Sequence, residues 1–284
     1  MKQIAPSIYV ETEYEGVNVG AIFTDKGIIC IDAPSYPQDA RHWAAELRKR
    51  SSVPIRYVIL TDCHGDRVIN ARWLNGPIVM HQMAAKKLRT YERRYPQALL
   101  DSLIKRNPVY GRELSHYPVS RPTITFTEEL QLCVGEQRLK LLHAPGPSAG
   151  NLWVYLEQEQ ILFTGDAVVV NTHPRLVDAD YDCWLQSLEQ RLNSLQITTL
   201  VPGRGAVSDK KVAQSVIDYV KSSQIYVMEC VNNQLPQTRL QKYGEQLLSM
   251  FPLSCSEVWL QEQILTGLTQ LYNKSCCSTI QKVA

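Results

Sequence analysis

The 284-residue chain lacks any run approaching the ~18 uninterrupted apolar residues that a membrane-spanning helix requires. Its opening stretch, MKQIAPSIYVETEYEG, interrupts every apolar run with polar residues, so the apolar segment of a signal peptide is missing too. Charge of one sign is scarce: 30 Lys and Arg against 28 Asp and Glu leave a formal +2, too weak a field to recruit nucleic acid or an anionic membrane. Eight cysteines are present, yet none falls in CxxC spacing, which removes the usual signatures of structural zinc and dithiol redox chemistry. There is no short-period repeat, low-complexity tract or linker. These absences leave the expectation of a cytoplasmic protein that handles a small-molecule ligand or substrate, with reduced thiols that are mostly small buried apolar groups.

What is present is a strand-and-helix alternation long enough to bury a large core. Ser7 to Glu13, Val17 to Thr24 and Gly27 to Asp32 read as strands, Tyr36 to Arg50 as a helix, and Ile55 to Thr61 as a strand rich in branched residues. Residues 88–122 turn helical and basic and then irregular, which reads as an inserted lid. A second series of strands is expected at Thr123 to Phe126, Leu130 to Val134, Arg138 to His143, Asn151 to Leu156 and Gln160 to Thr164. A helix with Trp184, Leu188, Leu192 and Leu195 follows, and then a short strand into Val201. Ser208 reads as the N-cap of a further helix, with two more at about Thr238 to Met250 and Ser256 to Tyr272. The layout is α/β: a core over residues 1–210 and C-terminal helices over 211–284 that complete the domain or form a homodimer surface.

Four loops directly after apolar strands carry the polar chemistry: Thr61-Asp62-Cys63-His64-Gly65-Asp66-Arg67, His143-Ala144-Pro145-Gly146-Pro147-Ser148-Ala149-Gly150, Thr164-Gly165-Asp166, and Val201-Pro202-Gly203-Arg204-Gly205. Each alone is a weak signal. Their order and spacing resemble the metallo-β-lactamase superfamily, whose motifs run HxHxDH, then close to HTPGHTPG, then GD, then PGHG. The stretch from Gly165-Asp166 through His173-Pro174 to Trp184 is similar to glyoxalase II-like and quinoprotein-linked members. The resemblance implies a four-layer αββα sandwich and, in most relatives, one or two metal ions that activate water for hydrolysis.

Carried over position by position, the resemblance is partial. Asp62 stands where the first metal histidine would be, His64 and Asp66 match, and Arg67 replaces the last histidine of that motif. Pro147 replaces the histidine of the second loop, Asp166 matches the bridging aspartate, and Arg204 replaces the histidine of PGHG. Proline has no donor side chain and a guanidinium stays protonated, so neither can ligate a metal. Two accounts follow. In one, Arg67 and Arg204 take the place of the metals by forked hydrogen bonds to Asp66, Asp166 or Asp62, no cofactor is held, and the protein is a degenerate, ligand-binding member. In the other, Asp62, His64 and Asp166 keep one Zn, Fe or Mn ion, with Asp66 orienting or deprotonating the water, in a mononuclear hydrolase of an ester, thioester, lactone or phosphoester. A third account is a metal-free enzyme in which Arg67 and Arg204 bind and polarise an anionic group, with Asp66 or His64 as base. His173 is a residue of either the substrate pocket or the surface, Cys63 a silent thiol, and His143 and His81 belong to packing.

Overall fold

The computed structural model describes residues 1–115 and 117–283, with side chains to residue 277. Its strands are β1 (Lys2–Ala5), β2 (Ile8–Glu11), β3 (Val19–Thr24), β4 (Gly27–Ile31), β5 (Ile55–Ile59), β6 (Ile78–His81), β7 (Ile124–Phe126), β8 (Glu129–Val134), β9 (Gln137–His143), β10 (Leu152–Leu156), β11 (Ile161–Phe163) and β12 (Thr199–Val201). The helices are α1 (Pro37–Arg50), α2 (Gly65–Val68), α3 (Gln82–Arg89), α4 (Gln97–Arg106), α5 (Pro108–Gly111), α6 (Tyr181–Gln186), α7 (Leu192–Ser194), α8 (Ala213–Asn232), α9 (Arg239–Leu248) and α10 (Glu257–Val283).

Strands β1 to β7 form one sheet in sequence order, and the second sheet runs β12-β11-β10-β9-β8. The period-2 rule of a strand explains how the sheets stack. In β4, Ile29 and Ile31 enter a core shared with Leu139, Leu141, Leu152, Val154 and Leu156 of the other sheet. Ile28 and Cys30 point the opposite way, to Trp43 and Leu47 of α1 and Leu100 and Leu103 of α4. In β10, Trp153 and Tyr155 likewise face Trp184, Val216, Val220 and Leu268. The central strands are therefore apolar on both faces, while β8 and β9 keep one polar, solvent-facing side, and the molecule is the expected α/β arrangement of four layers, helices outside and two sheets within. Helices α8, α9 and α10 complete the outer layer over the second sheet.

Three local expectations are corrected. Thr123 to Phe126 does not open the second sheet: β7 pairs in parallel with β6 and closes the edge of the first. Ser208 is not a cap, because its backbone pairs with Leu200; Asp209, whose carboxylate accepts from the Lys211 N–H at 2.8 Å, caps the turn that leads into α8. Nor are the thiols mostly buried: only Cys30 and Cys230 are, while Cys63, Cys183, Cys255 and Cys276 are half-buried and Cys133 and Cys277 exposed. Among the described residues no helix is long and apolar enough to cross a membrane.

Candidate functional site

Parallel pairing of β4 with β5 and of β11 with β12 sends the loops after these strands to one edge of the sandwich, where α/β proteins commonly bind ligands. Asp32 follows β4, Asp62, His64, Asp66 and Arg67 follow β5, Asp166 follows β11 and Arg204 follows β12. All six charged or titratable residues taken from the sequence motifs converge there, and ion pairs link them directly.

Arg67 is the centre. Its side chain is fully buried, with Nη1 on Asp32, Nη2 on Asp166 Oδ1, and Nε 3.9 Å from Asp62 Oδ1. Arg204 Nη2 bridges Asp66 Oδ2 and, at 3.1 Å, Asp166 Oδ2. A third guanidinium arrives from the lid: Arg106, in the last turn of α4, donates to Asp66 Oδ2 at 3.1 Å. Both arginines are ion-paired with site aspartates, but not as forks onto one carboxylate: Arg67 divides its two Nη atoms between Asp32 and Asp166, and Arg204 uses Nη2 alone for Asp66 and Asp166.

Asp32 was not singled out in the sequence, and it is built as carefully as the motif residues. It has a positive φ of 57°, a conformation that Asp tolerates better than most side chains. Thr61 holds its carboxylate from both ends, N–H to Oδ1 at 2.8 Å and Oγ1 to Oδ2 at 2.7 Å. Burial pushes the Asp32 carboxyl up, against the pull of Arg67 and the Thr61 donors. For Asp66 the balance is reversed. Burial would raise it, but Arg204, Arg106 and Arg67 together hold it far below the usual carboxylate range. Asp62 is lowered too, with burial outweighed by His64 and Arg67.

His64 pairs with Asp62 rather than with an arginine. Its Nδ1 lies 2.5 Å from Asp62 Oδ2, and its N–H donates to Asp62 Oδ1 at 2.6 Å, so Asp62 fixes both its backbone and its ring. The neighbouring Cys63 thiol is pushed up to about 12, mainly by burial and further by Asp62, which keeps it a poor nucleophile. His143 and His81 stack with centroids 3.7 Å apart, and His81 accepts from Met83 N–H at 3.2 Å as the cap of α3. Both do structural work.

His173 is not a surface residue. It is buried between Tyr219 and Phe251, and burial depresses its pKa. Together with Asp66, Arg106, Arg204 and Trp259 it lines a cavity of about 30 Å³, room for a water or two rather than an organic substrate. The cavity walls come mainly from residues 172–176 and 254–264, with Arg106 the contribution of residues 88–122. Leu99 of α4 packs over Gly65, where an added Cβ would come within 2.9 Å of it, and Trp259 of α10 lies 5.5 Å from the Arg106 guanidinium and donates to Ser102 at 3.0 Å.

The loop that carries Arg204 is pinned by Asn18, whose side chain donates to the carbonyls of Pro202 and Gly205 at 2.9 and 2.8 Å. Gly203 admits no side chain: a Cβ would stand 2.3 Å from Asp166 Oδ1 and 2.5 Å from the Gly165 carbonyl carbon. Gly203→Ala is expected to destabilise by about 2–3 kcal/mol, because the clash is with backbone and with an ion-paired carboxylate. A denaturant midpoint within error of the parent would contradict this tight approach.

The family model described as the metallo-beta-lactamase superfamily matches residues 13–204, and the chain belongs to that superfamily. Among curated proteins, it is 28% identical over 167 residues to the beta-lactamase-like protein 2 homolog of Caenorhabditis elegans, covering 59% of this chain and 48% of the relative. It is 21% identical over 239 residues to the linear primary-alkylsulfatase of a Pseudomonas strain, covering 71% and 44%. The chain spans about half the length of these relatives. A solved metallo-beta-lactamase family protein from Thermus thermophilus superposes with a TM-score of 0.67 at 17% identity over 96% of this chain and 95% of that one, which establishes the shared fold.

Proposed function

We propose that this protein is a metal-free member of the superfamily, in which three arginines, two buried and one half-buried, stand in for the metal ions and the fold serves ligand binding rather than metal-dependent hydrolysis. The observation that carries this reading is Asp166: the residue in the bridging position has Oδ1 on Arg67 and Oδ2 on Arg204, so both oxygens that would face metals already face guanidiniums. The donor set does not fit the two-metal centre. Pro147, Arg67 and Arg204 offer no electron pair, and among the described residues no three of His, Cys, Asp and Glu are gathered as ligands would be.

Charge favours the same reading. A cation entering beside these guanidiniums is repelled by roughly 4 kcal/mol per unit-charge pair at 4 Å and an effective dielectric near 20. Four carboxylates and three guanidiniums already come close to balance without it. The small cavity at the arginines also leaves little space for a hydrolysable substrate there.

The test is elemental analysis of protein purified without chelator, together with melting curves with and without chelator. We expect zinc, iron and manganese well below one equivalent and an unchanged Tm, since a ligand bound only to the folded state would shift it on removal. Near-stoichiometric metal with a chelator-sensitive melt would overturn the reading in favour of a mononuclear hydrolase built on Asp62, His64 and Asp166.

A further inference from the structure

Beside His64 lies a second hollow, an open cleft of about 340 Å³ between α3 and the loop after β9. That volume is at the small end of ligand sites, which run from about 300 Å³ upward. Two side chains lining it are more than nine-tenths buried and carry polar atoms with no protein partner: His64, 6% exposed, at Nε2, and Ser148, 4% exposed, at Oγ. Buried polar atoms in folded proteins are nearly always satisfied, so these two point to something that binds there. His64 cannot turn to find another partner, because Asp62 holds its opposite edge.

The rest of the lining selects the chemistry. Lys86 and Lys87, both exposed in the last turn of α3, border the cleft, against a single carboxylate, the exposed Asp178. Met83, 44% exposed, supplies an apolar wall. We propose that this cleft binds a small organic anion, a carboxylate or phosphate monoester with a short apolar body. The head group is held by the two ammonium groups and the Ser148 hydroxyl, the body lies along Met83, and His64 Nε2, whose ring partner Nδ1–H is taken by Asp62, accepts from a hydroxyl on the ligand such as that of a singly protonated phosphate. The inference rests on the metal-free reading in one respect, which is that His64 Nε2 is available only while no ion takes it.

The test is calorimetric titration of the full chain with hexyl phosphate and with hexanoate, against hexanol and inorganic phosphate. Metal content is measured on the same sample, and the titrations are repeated after chelator treatment. Hexyl phosphate is expected to bind one to one, at least about tenfold tighter than hexanol, and more weakly as salt is raised. Lys86→Ala/Lys87→Ala should weaken it about tenfold with Tm unchanged, and Ser148→Ala a few-fold, the scale of one lost neutral hydrogen bond. The arginine cavity is too small to give the same result. In a metal-free sample, a lack of saturation, hexanol binding equally well, or indifference to the lysine substitutions would overturn the cleft assignment and leave the metal-free reading standing. Binding that develops only after chelator strips a bound ion would uphold the cleft and overturn the metal-free reading.

Discussion

Arg67→Ala is expected to cost on the order of 3–5 kcal/mol of folding stability, the range for breaking a buried ion pair by removing one partner. Three carboxylates depend on this one guanidinium: Asp32 and Asp166 in direct contact and Asp62 at 3.9 Å. All three are almost completely buried, so water cannot replace the lost charge. Arg67→Lys should recover only part of the loss, because a single ammonium cannot reach Asp32 and Asp166 in two directions as the planar fork does. Urea unfolding of the two variants and the parent measures both effects. A loss below about 1 kcal/mol for Arg67→Ala would mean that the aspartates are neutral or hydrated in the folded protein, contrary to the geometry.

Acid is expected to destabilise the protein steeply below about pH 4. Asp66 and Asp62 have folded pKa values below their unfolded ones, so their contribution is complete above the unfolded value and is lost as pH falls through it toward the folded value. Asp32, raised by burial, has the opposite sign, and protonating it gives some relief over the same fall in pH. The arginine contacts on Asp66 decide the net direction, with a fall of about 1.5–2 kcal/mol between pH 5 and pH 2.5, the most that one salt-bridged aspartate loses over that interval. Denaturant midpoints across that range test it. Asp66→Asn should lower stability at neutral pH and flatten the acid limb, because Arg204 and Arg106 then face each other without their shared carboxylate. A parent profile flat from pH 5 to pH 2.5 would refute the ionised network.

Under the proposed metal-free reading, the arginine network supplies the positive charge that metals would supply in a metallohydrolase scaffold. A pocket that concentrates four aspartates at the ends of strands needs positive charge to fold at neutral pH, and guanidiniums supply it from within the chain. Arg67 and Arg204 stand in two of the loops where the family places ligands, so the scaffold keeps its loop geometry while the charge source changes. Arg106 extends the network to the lid, and the same helix shields it from solvent through Leu99.

Much of this was legible in the sequence, because it depends on local pattern. Alternating apolar residues marked the strands, and the four polar loops after them gave Asp62, His64, Asp66, Arg67, Asp166 and Arg204 as members of one site. The inability of proline and arginine to ligate a metal is a property of residue type and needs no coordinates. Tertiary structure decided the partners. Asp32 follows β4 with no motif to mark it, and it meets Arg67 only because β4 and β5 lie side by side in parallel. Arg106 carries no motif to mark it, and it reaches Asp66 because α4 is wedged between α2 and α10. β7, contiguous in sequence with β8, was drawn to the first sheet by pairing with β6, a choice between edges of similar hydrophobicity that only long-range packing makes. Sequence thus determined which chemical groups the loops carry, whereas the sheet order and the packing of the lid determined which charges touch, since ion pairing acts over a few ångströms between residues as many as 138 positions apart.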